Sequence, residues 1–467
     1  MVKVDLLLIN PPFHQRSGSG SIFPLGLGYI ISSIENSGYS WDVIDCSKRI
    51  SSYYEEDLEN LKNFLNEEMG KYLPELIGIG PCITTQIKAL KVIADCCKEH
   101  FDKERIFAGG PLASIDGQEW FFFDYLELDQ IIKGDGESAV LHGLQYVKQG
   151  RKLSDCTEIT IRNRIFFNEI NDINKIPFPH RLYLKENIFS VRRSVSDKSI
   201  ISASMITSRG CLYNCYYCVS GNMKYKKFRK RTNENIVEEL ISLKEMGVSD
   251  IVFYDDCFFY NKYNVNKDVE AYCSLLIDSN INMTWQMEIR PDILAQLNND
   301  SIVLLSKSGC RQINIGIEKT NSVSQQFLGK NIEINDIRKG IDQIKGLSTI
   351  KVAGTFILGG GNETESDIKS MIKNSKNMNL DYAHYNPLFI YPGTRIYETV
   401  FHNEREWVDH ILRDKFPWGE IIYENEHISG EELLDLVDYA YTYFYAGTDY
   451  ENSAMVQDRF NLRRKGE

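Results

Sequence analysis

Near-continuous apolar runs, separated by amphipathic stretches, organise the first third of the chain. Residues 4–9 (Val-Asp-Leu-Leu-Leu-Ile) read as a parallel strand buried on both faces. Asn10-Pro11-Pro12 ends it, since proline cannot donate to a ladder. A Gly/Ser-rich loop (17–21) and Pro24-Leu25-Gly26-Leu27-Gly28 lead into a helix to about Asn36, stopped by Gly38. The alternation then repeats: strand 41–45, helix 54–68, strand 76–80, helix 85–100 and strand 105–108. Gly109-Gly110-Pro111 closes that strand, and a last one, 130–133, runs into Gly134-Asp135-Gly136-Glu137. Strands alternating with helices predict an α/β fold with an open, doubly wound (Rossmann-like) parallel sheet. Ligands of such sheets bind beyond the carboxyl ends of the strands, where these Gly-, Pro- and Thr-rich loops (Thr84, Thr85) lie.

From 148 to about 199 the pattern weakens. Residues 159–167 predict a short hairpin turning at Arg162-Asn163-Arg164, residues 172–181 a linker, and Arg192, Arg193 and Lys198 a solvated surface. A second series follows: strand 201–207, a helix at 234–246 capped near Asn233, and strand 250–254 ending in Asp255-Asp256. A helix at 266–279, strand 283–289 ending at Arg290, and a helix at 292–307 come next. Strand 311–316 leads to Glu318, a helix spans 334–345, and strand 351–358 ends in Gly359-Gly360-Gly361. A helix at 364–378 and strand 383–389 complete six βα units, enough for a partial (βα)₆ barrel whose strand C-termini would carry the chemistry. Glu431–Tyr445 is amphipathic, and Tyr439, Tyr441, Tyr443 and Tyr445 read as core packing or as a cavity wall. The last five residues read as frayed. The expected division is 1–147, a linker over 148–200, the barrel over 201–395, and a small, mainly helical region over 396–467.

Composition narrows this picture. The 467 residues are too many for one core. A net charge of −12 argues against nucleic acid and anionic membranes as partners, and no apolar run of transmembrane length exists. The beginning of the chain does not read as a signal peptide, so its eleven cysteines imply a reducing, cytoplasmic setting. Eight of them read as buried core thiols, with Cys257 and Cys310 expected near the strand ends of the barrel.

The other three form Cys211-Leu-Tyr-Asn-Cys215-Tyr-Tyr-Cys218, directly after a strand and a Ser208-Arg209-Gly210 turn. Thiolates at this spacing suit an iron–sulfur cluster or zinc, and no fourth Cys or His follows to close a zinc tetrahedron. Three thiolates on a [4Fe–4S] cube leave one iron with an open position.

The CxxxCxxC stretch resembles the signature of the radical S-adenosylmethionine (SAM) superfamily. The first sheet, with its Asn-Pro-Pro, Pro-Leu-Gly-Leu-Gly-Tyr, Thr-Thr, Gly-Gly-Pro and Gly-Asp-Gly-Glu segments, resembles the cobalamin-binding domain of the cobalamin-dependent radical SAM enzymes. That resemblance implies cluster ligation by Cys211, Cys215 and Cys218, and SAM contacts from Tyr217, Asp255, Asp256, Arg290, Glu318 and Gly359. It implies cobalamin contacts from Asn10, Pro11, Leu25, Gly26, Thr84, Thr85, Gly109, Gly110, Pro111, Gly134, Asp135, Gly136 and Glu137. A DxHxxG motif is absent, so no histidine of that type ligates cobalt, and Lys319 stands where the family's Gly-Ile-Glu segment usually continues with Ser. The implied activity is SAM cleavage to a 5′-deoxyadenosyl radical and methylation of an unactivated carbon of a small molecule through methylcobalamin. An external one-electron donor such as flavodoxin or ferredoxin is implied as partner. A non-methylating radical reaction, a front domain without corrin, and a non-catalytic iron–sulfur protein stay open.

Overall fold

The computed structural model describes residues 1–12, 24–46, 55–181, 200–223, 227–330, 332–403, 405–413, 421–453 and 456. The expected loop at 17–21, the surface at Arg192, Arg193 and Lys198, and the frayed terminus lie outside them. Among the described residues, no helix is long and apolar enough to cross a membrane.

The first sheet contains β1 (Val2–Asn10), β2 (Trp41–Asp45), β3 (Tyr72–Ile79), β4 (Ile106–Gly109) and β5 (Gln130–Gly134), all parallel, in the order β2-β1-β3-β4-β5. Leu6, Leu7, Leu8 and Ile9 of β1 are all buried, as their unbroken apolar run requires. The order reverses between β1 and β3, the place where open α/β sheets bind ligands. The hairpin turn forms, with Ile161 and Arg164 exchanging backbone hydrogen bonds. Its arms β6 (Thr160–Ile161) and β7 (Phe167–Asn168) do not pair with each other as expected; both lean on β5, one antiparallel and one parallel.

The second sheet starts at β8 (Ser202–Met205), shorter than expected because the chain then turns into a small antiparallel pair, β9 (Ser208–Arg209) and β10 (Arg229–Lys230). It continues through β11 (Asp250–Phe253), β12 (Thr284–Ile289), β13 (Cys310–Glu318), β14 (Lys351–Leu358) and β15 (Tyr382–Pro387). These six strands lie in chain order and every pair is parallel. Trp285, Met287 and Ile289 of β12 pack into the helical core, while Gln286 and Glu288 face away from it and are accessible. At the amino ends of the strands, buried Asp250 accepts hydrogen bonds from Arg311 (2.6 and 2.8 Å), Ser202 (2.8 Å) and Thr284 (2.6 Å).

Local chemistry explains three departures. Thr232, not Asn233, caps the helix Asn233–Glu245, its Oγ1 accepting from the Asn235 N–H. The helix expected over 292–307 is two, Pro291–Leu294 and Asn299–Lys307, because the Asn298 side chain caps a new start by accepting from the Ser301 N–H. Cys310 opens β13 and so sits at the amino end, away from the carboxyl-edge site.

The C-terminal residues divide between the two cores. Leu388, Ile390, Ile396, Trp407, Ile411 and Ile421 join the core beneath the first sheet, and Trp407 Nε1 donates to Gln118 Oε1 at 2.9 Å. The helix Gly430–Tyr445 packs against β15. Its Tyr441 and Tyr445 hydroxyls accept from the Tyr385 and Ala383 N–H groups at 3.0 and 2.9 Å. Four residues of helix and two of strand span nearly the same length, so these tyrosines cap the open edge of the sheet. They serve as core, not as a cavity wall; Tyr439 is largely exposed.

Candidate active site between the two sheets

The carboxyl edge of the first sheet holds a cavity of about 420 Å³. Leu8, Gly78, Phe107, Ile132 and Val140 give it an apolar interior, and Gly26, Gly109, Gly110, Pro111, Gly134, Asp135, Gly136 and Glu137 lie along it. Arg209, Gly210, Ser220, Met223, Lys227, Arg229 and Asp256 of the second half wall its far side. Gly110 and Gly134 have φ of +121° and +82°, which only glycine adopts without strain. A Cβ on Gly134 would stand 2.1 Å from Asn168 O, so the edge is built around bare backbone. Gly26 has nothing within 4 Å of where its Cβ would be, so the space there is open. An apolar slot with bare backbone at a switch point fits part of a large flat ligand. Among the described residues, no histidine lines the cavity.

Several expected contacts lie elsewhere. Asn10 is buried and donates to Asp45 Oδ1 at 2.7 Å. Pro11, Leu25, Thr84 and Thr85 are not among the lining residues; the threonines form a 3₁₀ turn ahead of helix Ile87–His100. Asp135 and Glu137 lie at the cavity lip, but their carboxylates are engaged by Arg209 and Arg229.

The cysteine loop starts at Gly210, whose φ of +85° turns the chain out of β9. Asn222 Nδ2 donates to the carbonyls of Cys215 and Cys218, both at 2.7 Å, and folds the loop over itself. The Tyr216 N–H donates to Leu328 O (2.9 Å), and Tyr216 O accepts from Ile396 (3.1 Å). None of the three thiols is in a disulfide, and Cys211 and Cys218 are partly exposed. Burial, the Asp256 charge and the other two thiols push Cys218 up to about 11. Among the described residues no trio of Cys, His, Asp or Glu converges tightly enough for a single ion. Three thiols on one loop are a soft donor set that suits an iron–sulfur cluster.

Behind the loop, Tyr217 OH donates to Glu318 Oε1 at 2.9 Å, and Lys330 Nζ donates to the same oxygen at 2.8 Å. Glu318 has φ of +62°, a left-handed conformation for a non-glycine that aims its carboxylate back over Gly316. Burial, with the Glu318 charge beside it, holds the Tyr217 phenol well above its ordinary value. Glu288 reaches solvent inside this concavity with protein around most of its carboxylate. That partial desolvation, with Glu318 and Asp256 nearby, raises it to about 7. Carboxylates outnumber Lys330 here, which suits a ligand carrying positive charge.

The remaining expected SAM contacts divide. Asp256 lines the cavity. Asp255 is fully buried and takes hydrogen bonds from Thr207 N (3.0 Å), Thr207 Oγ1 (2.9 Å) and Ser208 Oγ, so it holds the turn into the cysteine loop. Arg290 pairs with Asp292 (Nε to Oδ1 3.0 Å), lies over the Tyr213 ring at 3.8 Å, and points Nη1 at Cys215 Sγ at 3.8 Å. Gly359 packs against Leu433, and its carbonyl accepts from buried Lys319 at 2.7 Å. Lys319 also pairs with Glu363 at 2.6 Å, so the lysine in the usual serine's place braces the glycine loop. Cys257 is buried, and burial pushes it up to about 12. Sequence reasoning missed Arg209, Lys227, Arg229 and Lys330; only Arg209, beside the cysteine loop, carried a signal of position.

Residues 205–374 match the radical SAM superfamily. The second sheet with its cysteine loop is therefore a radical SAM domain, and the protein is a radical SAM enzyme. The chain is 25% identical over 462 residues to the uncharacterised methyltransferase PH0819 of Pyrococcus horikoshii, covering 95% of this chain and 93% of that protein. Its fold superposes on the radical SAM methyltransferase TsrM of Kitasatospora setae, solved with cobalamin and a [4Fe–4S] cluster bound. That match has a TM-score of 0.64 and 16% identity, over 85% of this chain and 74% of TsrM. It superposes also on the cobalamin-dependent radical enzyme OxsB, solved with aqua-cobalamin, with a TM-score of 0.65 and 14% identity, over 99% of this chain and 71% of OxsB. The chain thus carries a radical SAM domain and shares its fold with two radical SAM proteins that were solved with cobalamin bound.

Proposed function

We propose that the protein methylates an unactivated carbon of a small molecule, with a [4Fe–4S] cluster, SAM and cobalamin facing one space between the two sheets. The observation that carries this reading is the apolar cavity at the edge of the first sheet, closed on its far side by the strand–loop that bears the three cysteines. When bound, the cluster and SAM supply a hydrogen-abstracting radical and the corrin supplies the methyl group.

The chain's part is binding, orientation and exclusion of water. Cys211, Cys215 and Cys218 hold the cluster, and Asn222 keeps two of their carbonyls folded inward. Glu318, fixed by Tyr217 and Lys330, and Asp256 present negative charge to the cationic groups of SAM. Gly26, Gly109, Gly110, Pro111, Gly134 and Gly136 let the corrin's flat parts approach backbone. A one-electron donor such as flavodoxin or ferredoxin completes the cycle, in a cytoplasmic setting.

The test is anaerobic reconstitution with iron, sulfide and hydroxocobalamin, then desalting, reduction and addition of methyl-labelled SAM. The expected result is retained corrin colour and formation of 5′-deoxyadenosine. Full 5′-deoxyadenosine formation by a preparation that retains no corrin would contradict methyl transfer and leave only the radical half.

A further inference from the structure

We infer that Asp135, Glu137, Arg209 and Arg229 form a positioning clamp that fixes the cysteine loop over the cavity, rather than ligand contacts. This inference rests on the function proposed above for its consequence, and on the geometry alone for its existence.

Arg209 Nη1 donates to Asp135 Oδ1 at 2.7 Å, and Arg209 Nη2 to Glu137 Oε1 at 2.5 Å. Arg229 Nη1 donates to the other oxygen of Asp135 and to Ile170 O at 2.7 Å. That second oxygen also accepts from the Ile170 N–H at 2.7 Å. The acids come from the carboxyl end of β5 and the start of helix Glu137–Lys148; the arginines come from β9 and β10. Asp135 and Glu137 are buried, and the Tyr29 ring covers Arg209 at 5.2 Å. Burial alone would raise the Asp135 carboxyl, but the guanidiniums outweigh it and hold it below the ordinary carboxylate value.

The register of the small β9–β10 pair makes the acids necessary. Arg209 and Arg229 stand directly opposite each other. Like charges in that position push strands apart. Asp135 removes the repulsion by taking one guanidinium on each oxygen. A carboxylate of the first sheet therefore completes a hairpin of the second. Only Gly210 separates Arg209 from Cys211, and only Gly136 separates the two acids at the cavity lip. The reach of one residue is too short to absorb a shift of the clamp, so its geometry passes to the loop and to the lip together. The Arg209–Glu137 pair is bidentate, Nη2 to Oε1 at 2.5 Å and Nη1 to Oε2 at 3.3 Å, which fixes direction as well as distance.

The experiment compares wild type with D135N and E137Q, and with R162A as an exposed ion-pair control remote from the loop. Amide exchange on the cofactor-free protein is read first. D135N should speed exchange of Ser208, Arg209, Arg229 and Lys230 by about tenfold or more, with β12–β14 unchanged. E137Q, which keeps the Asp135 bridge, should show a smaller change of the same sign, and R162A none. Unchanged exchange in D135N overturns the clamp. With cofactors loaded, each variant's cluster and corrin signals should keep their wild-type line shapes. The magnetic coupling between the reduced cluster and cob(II)alamin should weaken and broaden in D135N. Coupling identical to wild type overturns the positioning role. Wild type that takes up the cluster but no corrin overturns the proposed function, while the exchange measurement still judges the clamp.

Discussion

The two parallel sheets solve opposite problems with the same strand. In β1 both faces are buried, so the first sheet is a solid slab and a ligand meets only its carboxyl edge. In β12 buried and accessible residues alternate, so one face packs on helices and the other carries Gln286 and Glu288 toward solvent. The slab offers glycine and apolar surface; the alternating sheet, with its loops, offers thiols, carboxylates and lysines. A large flat cofactor suits the first, and a charged, redox-active one suits the second. One cavity needs both.

The largest effect separates the sheets outright. Changing Cys211, Cys215 or Cys218 to Ser should take cluster absorbance and 5′-deoxyadenosine formation to background, while corrin retention on the first sheet persists. Anaerobic absorbance before and after cobalamin loading checks both halves.

Trp407→Ala should cost about 3–5 kcal/mol, because it empties a fully buried site and strands Gln118. Since that tryptophan belongs to the first core, amide exchange should rise in β1–β5 and leave β11–β14 protected. Equal loosening of both sheets would undo the assignment of the tail to two cores.

Two glycines sharpen the comparison at the cavity. Gly134→Ala should destabilise by about 3 kcal/mol, from left-handed backbone and a clash with Asn168 O. Gly26→Ala meets nothing, so its melting temperature should hold or rise slightly while corrin affinity falls. Paired melting and cobalamin titrations distinguish a fold glycine from a ligand glycine.

The smallest effect belongs to the second sheet. Glu288 sits above its ordinary carboxyl value, at about 7. A raised carboxyl favours the folded state while protonated and loses that contribution as pH climbs from the ordinary value to the folded one. E288Q without cofactors should therefore match wild type below about pH 4.5 and gain on it up to about pH 7, then run parallel. A gain on acidification would reverse the sign and refute the placement.

What the sequence reveals follows the range of each interaction. Strands, helices and the cysteine loop were legible, because apolar period and a three-cysteine spacing are local signals. The glycines of the cavity edge were legible as strand-end loops. Asp135 and Glu137 line the expected cavity, but their pairing with Arg209 and Arg229 was not legible, because those partners lie 72–94 residues away and nothing local marks the ion pairs. The hold of Asp255 on the turn before the cysteines was missed for a similar reason: its partners Thr207 and Ser208 sit 47–48 residues earlier in the chain. The break at Asn298 was missed because a capping side chain competes with an apolar pattern that continues across it. Tyr441 and Tyr445 gave a stripe that fits a core or a cavity equally, and only the open edge of β15 decides between them.

The most direct measurement is the visible and iron content of one desalted, anaerobically reconstituted sample offered hydroxocobalamin. The account predicts a [4Fe–4S] cluster and a stoichiometric corrin retained on the same chain. A zinc-loaded or disulfide-bonded cysteine loop, or a chain that lets all corrin pass, would contradict it.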